Sequence, residues 1–570
     1  MPDKPERHSY ELRIGVTGHR NLTQEKAVAE AVDRLVVYLH GLFEMDKDIL
    51  VKWTAISPLA KGADRMVARS ILKLPNSRLK VFLPFDIDEY RKDFKKGADR
   101  EEFEELLKVS IFQHECSQEK PEKSDNDQRN EKYLQCGKEV VDACEILITV
   151  WDGDEAKGTA GTADIVKYAL TWGRTILRID PNNPSAPATL LVAPKHHDEE
   201  DKNQPFYEEH PLPNALNKLS LNYVHFAEFV RDTSLPKTTF ETAESECLKN
   251  LKKPTKRSAQ FDSYLNPVLD HLIPTYVRAD ELAAHYQKRH VLASKAIHIF
   301  AALAVSVVVF QITFFQHHLW IISFELCAMA GVLAALMICR RLSWHEKWID
   351  YRFLAEQLRT IMFTIVVQES PVANSKPAPE TLPFYNKPQT WIDFLVATQL
   401  KNVLANLNSP PSFEELKAFV IEEWLTDQKK WHRKNAKRKK NAEHKLHRTV
   451  IALFCITLAM AVLHLLEIGH GNGKEVYEIF SFSKWTSFFA ITLPAWGAAI
   501  HAISKQLEYE RIAARSTKMA VELERLEENA IKCTTPEEFR KIVQQAIQTV
   551  NLETFEWWAL ISFNAPELVA

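Results

Sequence analysis

The chain has 570 residues, room for roughly three to four domains of ordinary size, with 72 Lys and Arg balanced by 75 Asp and Glu. That balance lacks the concentrated basic face of a nucleic-acid-binding domain, so no nucleic-acid partner is expected. Eight cysteines without a Cys-x-x-Cys pair exclude a disulfide or zinc-ribbon framework and fit a reducing cytosol plus a membrane.

The mean hydropathy, −0.24, has the value of a soluble protein. It averages a polar chain with a few strongly apolar runs. The first residues, MPDKPERHSYELRIGV, contain no apolar h-region, so no cleavable signal peptide is expected.

Residues 1 to about 240 alternate short apolar segments with amphipathic ones, the pattern of a parallel α/β sheet. Strands are predicted at Leu12–Thr17, Ile49–Ser57, Leu79–Leu83, Ile146–Trp151 and Thr175–Ile179. Helices fit between them at Gln24–Phe43, Ala63–Leu74, Arg100–Phe112, Tyr133–Ala143 and Ala163–Trp172. The polar stretch Gln113–Arg129 reads as a flexible insertion.

Ligands of such sheets bind outside the carboxyl ends of the strands. Three loops have the composition for that. The first is GVTGHR, with Gly15, Thr17, Gly18, His19 and Arg20. Small residues let backbone N–H groups approach a phosphate, and Arg20 can add a bidentate contact. The second is SPLAKGAD, with Ser57, Gly62 for a tight helix entry, and Asp64 to cap that helix or hold a ribose hydroxyl. The third is DGDEAKGTAGTAD, with Asp152, Gly158, Thr159, Gly161 and Thr162 just before a helix, an anion cradle by the same logic. His19 reads equally as a ligand contact or as a side chain bonded to a neighbouring loop. Tyr90, Arg91 and Lys92 follow the third strand and either cover the site or form a surface turn. Neither His196–His197 nor His317–His318 has ligand spacing, so no metal and no cofactor are expected.

The segment 241–277 reads as a linker. Beyond it, four apolar runs reach the roughly 20 residues a bilayer core requires: Ala296–Phe315, His318–Cys339, Thr449–Ile468 and Trp485–Ile503, the last with Pro494 and Gly497. Lys288, Arg289 and Lys295 precede the first run, and Arg340 and Arg341 close the second. The basic run Lys429–Lys440, with Lys445 and Arg448, precedes the third, and Lys505 follows the fourth. By the positive-inside rule, both hairpin loops face out and the termini and soluble parts face the cytosol. The basic run itself either touches anionic headgroups or serves topology alone. Gln311 and Glu325 reach similar depth in an antiparallel hairpin, where they either pair or line a wet path.

The two hairpins repeat coarsely. WIDYRFLAEQLRT (Trp348–Thr360) follows the first and LEYERIAARSTKM (Leu507–Met519) the second, aligning Arg352 with Arg511. The charged helices Arg278–Ser294 and Gln506–Asn529 read as stalks continuing the membrane helices. Glu369–Lys387 is Pro-rich and irregular. Domain limits follow at 1–240, 278–425 and 426–570.

GVTGHR, SPLAKGADRMVA and KGTAGTADIVKYA resemble the Rossmann-like SLOG superfamily. RADELAAHYQKRH, YRFLAEQLR, YERIAARSTKM and the terminal ETFEWW resemble SLATT modules, two-transmembrane units found beside SLOG domains. The resemblance implies a cytosolic SLOG sensor of a nucleotide or cyclic-nucleotide-like signal. It further implies an oligomeric permeabilising module in the inner membrane, acting in prokaryotic antiphage defence. The rival reading is a hydrolase of the LOG branch, whose signature is PGGxGTxxE. Here Lys157 and Thr159 replace the Pro and the second Gly, Ile165 occupies the catalytic Glu position, and Asp164 lies one residue early. One residue on a helix is a turn of about 100°, so binding without hydrolysis is expected.

Overall fold

A computed structural model describes residues 8–44, 48–117, 126–154, 161–194, 205–251, 258–315, 319–367, 390–466 and 482–562. The chain divides into two compact units, Met1–Asp232 with Ala378–Ala397, and Thr233–Pro377 with Thr398–Ala570.

The first unit is an α/β sheet domain. Its elements are β1 (His8–Gly18), α1 (Glu25–Glu44), β2 (Ile49–Ser57), α2 (Ala63–Leu72), β3 (Ser77–Leu83), α3 (Ile87–Tyr90), α4 (Ala98–Val109), β4 (Phe112–Glu115), α5 (Asn126–Ala143), β5 (Ile146–Val150), α6 (Thr162–Thr171), β6 (Thr175–Ile179), β7 (Thr189–Val192), β8 (Glu208–Pro211) and α7 (Leu221–Arg231). The eight strands run in the order β4-β3-β2-β1-β5-β6-β7-β8. All five residues of β5 are buried, as a central strand covered on both faces requires.

The sheet is mixed rather than parallel throughout. β1 to β6 pair in parallel, but β7 and β8 are antiparallel. The polar stretch read as an insertion contains edge strand β4 and the start of α5, which begins at Asn126 rather than Tyr133. An edge strand buries little, so its sequence need not be apolar. Residues 390–397 also belong to this unit. Trp391 N donates to Asn222 Oδ1 at 3.0 Å, and the Arg13 guanidinium lies 3.6 Å over the Phe394 ring.

The second unit is helical. Its helices are α8 (Lys237–Leu251), α9 (Ala259–Phe314), α10 (Ile322–Arg341), α11 (Trp344–Val367), α12 (Trp391–Ala405, shared with the first unit), α13 (Phe413–Phe419), α14 (Asp427–Leu465), α15 (Phe482–Gln506), α16 (Tyr509–Lys532) and α17 (Pro536–Ser562). Four are long and apolar enough to cross a membrane, and they contain the four expected runs as far as the residues are described. Large apolar side chains point outward along them, among them Leu303, Phe324, Met329, Phe454, Leu458 and Ile491. Water would not tolerate so continuous an apolar surface, whereas acyl chains would.

Where it is described, the stretch read as a linker is almost entirely helical, in α8 and the first turns of α9. At 1.5 Å per residue the 56-residue α9 is about 84 Å long. A bilayer core takes about 30 Å of it, so its N-terminal half extends as a stalk, as expected. The second expected stalk does not continue its membrane helix: α15 stops at Gln506, and Glu508 at φ +48° separates it from α16. The same break occurs at Ser343, φ +48°, between α10 and α11.

The repeat is thus visible in the fold. In each copy a long helix packs against the returning membrane helix and against a charged helix after the break. Aligning the breaks rather than the motifs shifts the register by six residues. Accordingly, Arg352 pairs with buried Glu356 and with Asp280, while Arg511 is exposed and pairs with Glu508 on its own helix end. Phe314 meets Trp485 at 4.7 Å at one end of α9, and Ser294 donates to Gln506 at 2.6 Å further back. The two helices therefore run antiparallel, and both hairpin tips lie at the same end.

Of the basic run, Lys429 bonds Glu527 and Arg433 bonds Glu524 at 2.6 Å, so part of its charge is spent on α16. Glu325 sits in the first turn of α10, where the helix dipole favours a carboxylate, rather than deep in a span. The Gln311 and Glu325 side chains form no hydrogen bond with each other within the protomer.

Candidate functional site

The strand order reverses between β1 and β5: connections from β1 lead to one side of the sheet, those from β5 to the other. The loops after these two strands diverge there and leave a crevice at the carboxyl edge. The loop after β2 closes one flank.

Loop one ends β1 and carries Gly18, His19 and Arg20. His19 N donates to Val150 O at 3.1 Å, and Ala63 N donates to His19 O at 3.3 Å. A Cβ on Gly18 would stand 2.6 Å from Ala63 Cβ and 2.8 Å from Val150 O. Gly62 has φ +86°, and a Cβ there would meet His19 O at 2.5 Å and Arg20 O at 2.7 Å. These two glycines let three chain segments touch backbone to backbone.

The His19 ring faces loop three: Nε2 lies 3.1 Å from Asp152 Oδ1 and 3.3 Å from Asp152 N. Its role is therefore to tie the first loop to the third. Partial burial would raise the Asp152 carboxyl, but bonds from Asp154 N–H and His19 outweigh it and hold it below its ordinary value. The Asp154 N–H bond, at 3.1 Å, closes an Asx turn around Gly153.

Arg20 is exposed, with its guanidinium 4.6 Å over the Tyr133 ring. Asp64, facing it, is buried. Burial pushes the Asp64 carboxyl up to about 7, against the pull of Arg20, the Ala60 N–H and Arg65. This side of the crevice thus presents one permanent cation and one carboxyl that titrates near neutrality.

Other predicted residues have internal roles. Gly15 lies inside β1, where a Cβ would meet Cys144 Sγ at 2.7 Å; it is a strand–helix packing glycine. Thr17 is likewise in β1, paired with Thr149. Ser57 is fully buried, accepting from Leu59 N at 3.0 Å and donating to Asp64 O at 3.2 Å. Gly161 caps α6 and Thr162 begins it; Gly161 N donates to Asp164 Oδ2 at 3.1 Å. Gly158 and Thr159 lie outside the described residues. Of the three residues after β3, Tyr90 is buried, while Arg91 pairs with Glu104 at 2.7 Å and Lys92 with Glu89 as a surface turn.

Sequence reasoning missed the wall opposite Arg20. Tyr133 donates to Asp93, and Arg129 pairs with Asp93 and, at 3.2 Å, with Glu89. Both lie on α5, four residues apart, the spacing of one helix face. Arg178, at the end of β6, was also missed. Its Nε donates to Trp151 O at 2.9 Å, and it pairs with Glu209.

The arrangement suits capture of an anion: exposed guanidinium, close-packed glycine backbone, and a helix N-terminus after each of β2 and β5. Compared with protein-family models the sequence matches none, and no curated protein matches it significantly.

Proposed function

We propose that the chain is a membrane effector of SLOG–SLATT type, whose Rossmann-like domain senses a nucleotide-derived signal and whose hairpins then permeabilise the membrane as an oligomer. Antiphage defence in a prokaryote, with the protein in the inner membrane and both termini cytosolic, is the setting this reading implies. The observation that carries it is the convergence of loops one and two, with the base of loop three, at the switch point beside exposed Arg20. Both hairpin tips at one end support the topology drawn from the basic flanks. Oligomerisation follows from this reading, because the four spans of one protomer are too few to enclose a wide pore.

Binding shifts the protein toward the state with higher ligand affinity. Proteoliposomes bearing the full chain, challenged with a panel of linear and cyclic nucleotides, should leak in response to at least one. Arg20→Ala should raise the half-saturating concentration roughly 10–100-fold, the value of a charge-assisted contact. No leakage across the panel at saturation would overturn the proposal.

A phosphate beside Arg20 competes with the Asp64 carboxylate. Asp64 is neutral below about 7 and charged above it, so affinity should be highest in mild acid. It should fall up to about tenfold one pH unit above the Asp64 value. Isothermal titration at several pH values checks this; Asp64→Asn should flatten the profile, and an unchanged profile in that variant would refute the assignment.

The hydrolase reading gains no support from its key position. Ile165 is buried, and a Cβ on Gly137 would stand 2.4 Å from its Cδ1, while Asp164 is engaged by Gly161 N–H. Release of free base from nucleoside monophosphates, abolished by Asp164→Ala, would reinstate it.

A further inference from the structure

His114 lies in β4, and Cys116 follows the strand directly with its N–H still bonded to Leu83 O at 2.8 Å, so the two residues, two apart, share one face of the sheet edge. Cys136 and Glu139 lie three residues apart on α5, on one face of that helix. Donor atoms of His114, Cys116 and Glu139 all lie within 4.8 Å of one another. His114 Nε2 is 2.8 Å from Glu139 Oε2. The fourth member, Cys136, is buried one turn before Glu139 on α5, and its Sγ donates to the carbonyl of Phe82, the β3 residue paired with His114.

We propose that His114, Cys116, Cys136 and Glu139 hold one zinc ion, which clips edge strand β4 to helix α5. Two sulfurs, one imidazole nitrogen and one carboxylate oxygen form a donor set that zinc takes tetrahedrally. Zinc–ligand bonds of about 2.0–2.3 Å put neighbouring donors about 3.3–3.8 Å apart. The His114–Glu139 pair, at 2.8 Å, is closer than that, so the ion enters by parting this hydrogen bond by about 0.5 Å. The Cys136 thiol, which now donates to Phe82 O at 3.3 Å, turns from the core toward Cys116. Charge balances simply: two thiols release two protons, His114 binds neutral, and two thiolates, one carboxylate and Zn²⁺ leave a net −1. That is the charge of a Cys₃His site.

The location gives the clip a purpose. β4 has four residues and pairs only with β3, so hydrogen bonds hold it weakly. The other end of α5 carries Arg129 and Tyr133 to the crevice wall. Fixing α5 against β4 therefore fixes that wall. The inference rests on donor geometry and is independent of the proposed signal.

Full-length protein in detergent, reduced and stripped with a chelator, is titrated with zinc chloride against a chromophoric chelator. One equivalent per chain should bind, and cobalt(II) in its place should give a thiolate charge-transfer band. Cys116→Ser and the near-isosteric Glu139→Gln should weaken binding by more than the roughly 10–100-fold that loss of a supporting partner costs. Cys247→Ser should not change it, and Cys116→His, which restores a donor, should retain it. Zinc should raise the melting temperature of the wild type but not of Cys116→Ser. The proposal is overturned if no tight equivalent binds, if Cys116→Ser binds as the wild type does, or if alkylation shows Cys116 and Cys136 joined as a disulfide.

Discussion

Glu356→Gln should destabilise the helical unit by about 3–5 kcal/mol, the cost of breaking a buried ion pair from one side. Glu356 on α11 lies between Arg352, at 2.5 Å, and Arg359, and its side chain is 11% exposed. Arg352 also reaches Asp280 on α9 at 2.6 Å. Burial disfavours the Glu356 charge, but the two guanidiniums outweigh it and hold the carboxyl below its ordinary value. Gln keeps the shape and removes the charge, leaving two guanidiniums largely inside with Asp280 alone. Thermal unfolding of the full chain in detergent, followed by tryptophan fluorescence, reads the loss. Replacing Arg352, Glu356 and Arg359 together by Met, Leu and Met should restore most of it, because the burden is unpaired charge. A loss below about 1 kcal/mol would place the cluster among solvated surface pairs and refute this account.

The same cluster sets the acid limb. Glu356, with its folded value depressed, contributes stability above the unfolded value of 4.5 that is lost as pH falls through the folded one. His432 nearby is lowered by burial from 6.5 to about 4, so the unfolded chain takes up its proton first and stability falls between those values as pH drops. Glu553, raised by burial to about 7, works in the opposite sense between 4.5 and 7. Glu356→Gln should therefore weaken the acid dependence as well as the midpoint.

The most legible features in the sequence were those set by long runs or strong periodicity. The four apolar helices and the interior strands were found because burial on all sides leaves an unbroken apolar signature, as in Ile146–Val150. β4, β7 and β8 were not: four residues are too few to show such a pattern, and the two edge strands, FQHE and EEHP, are polar as well. The loops around Gly18, Gly62 and Asp152 were found through their composition, but composition does not distinguish a glycine facing a ligand from one facing a helix. Gly15 was placed with the former and belongs with the latter. Arg129 and Tyr133 were invisible because their importance depends on where α5 begins, within a stretch whose polarity suggested irregular chain. His114 and Cys116 were hidden similarly, separated from Cys136 and Glu139 in sequence and brought together only when β4 joins the sheet.

Gly62→Ala should cost roughly 2–3 kcal/mol and abolish response to ligand. Two penalties combine. At φ +86° an L side chain is strained whatever its surroundings. The new Cβ would also stand 2.5 Å from His19 O and 2.7 Å from Arg20 O, backbone atoms that cannot rotate away. Relief requires the loop carrying Arg20 to move, and with it the Ala63 N–H to His19 O bond. Gly97→Ala separates the two penalties: Gly97 has φ +103° but open space around its Cβ position, so it should show the conformational cost alone and keep its ligand response. Gly161→Ala, at an ordinary extended φ of −78°, should incur no backbone strain. Melting temperatures of the three variants, measured with and without an activating nucleotide, rank these contributions. If Gly62→Ala matched Gly97→Ala in both stability and ligand response, the contact between loops one and two would not be what shapes the crevice.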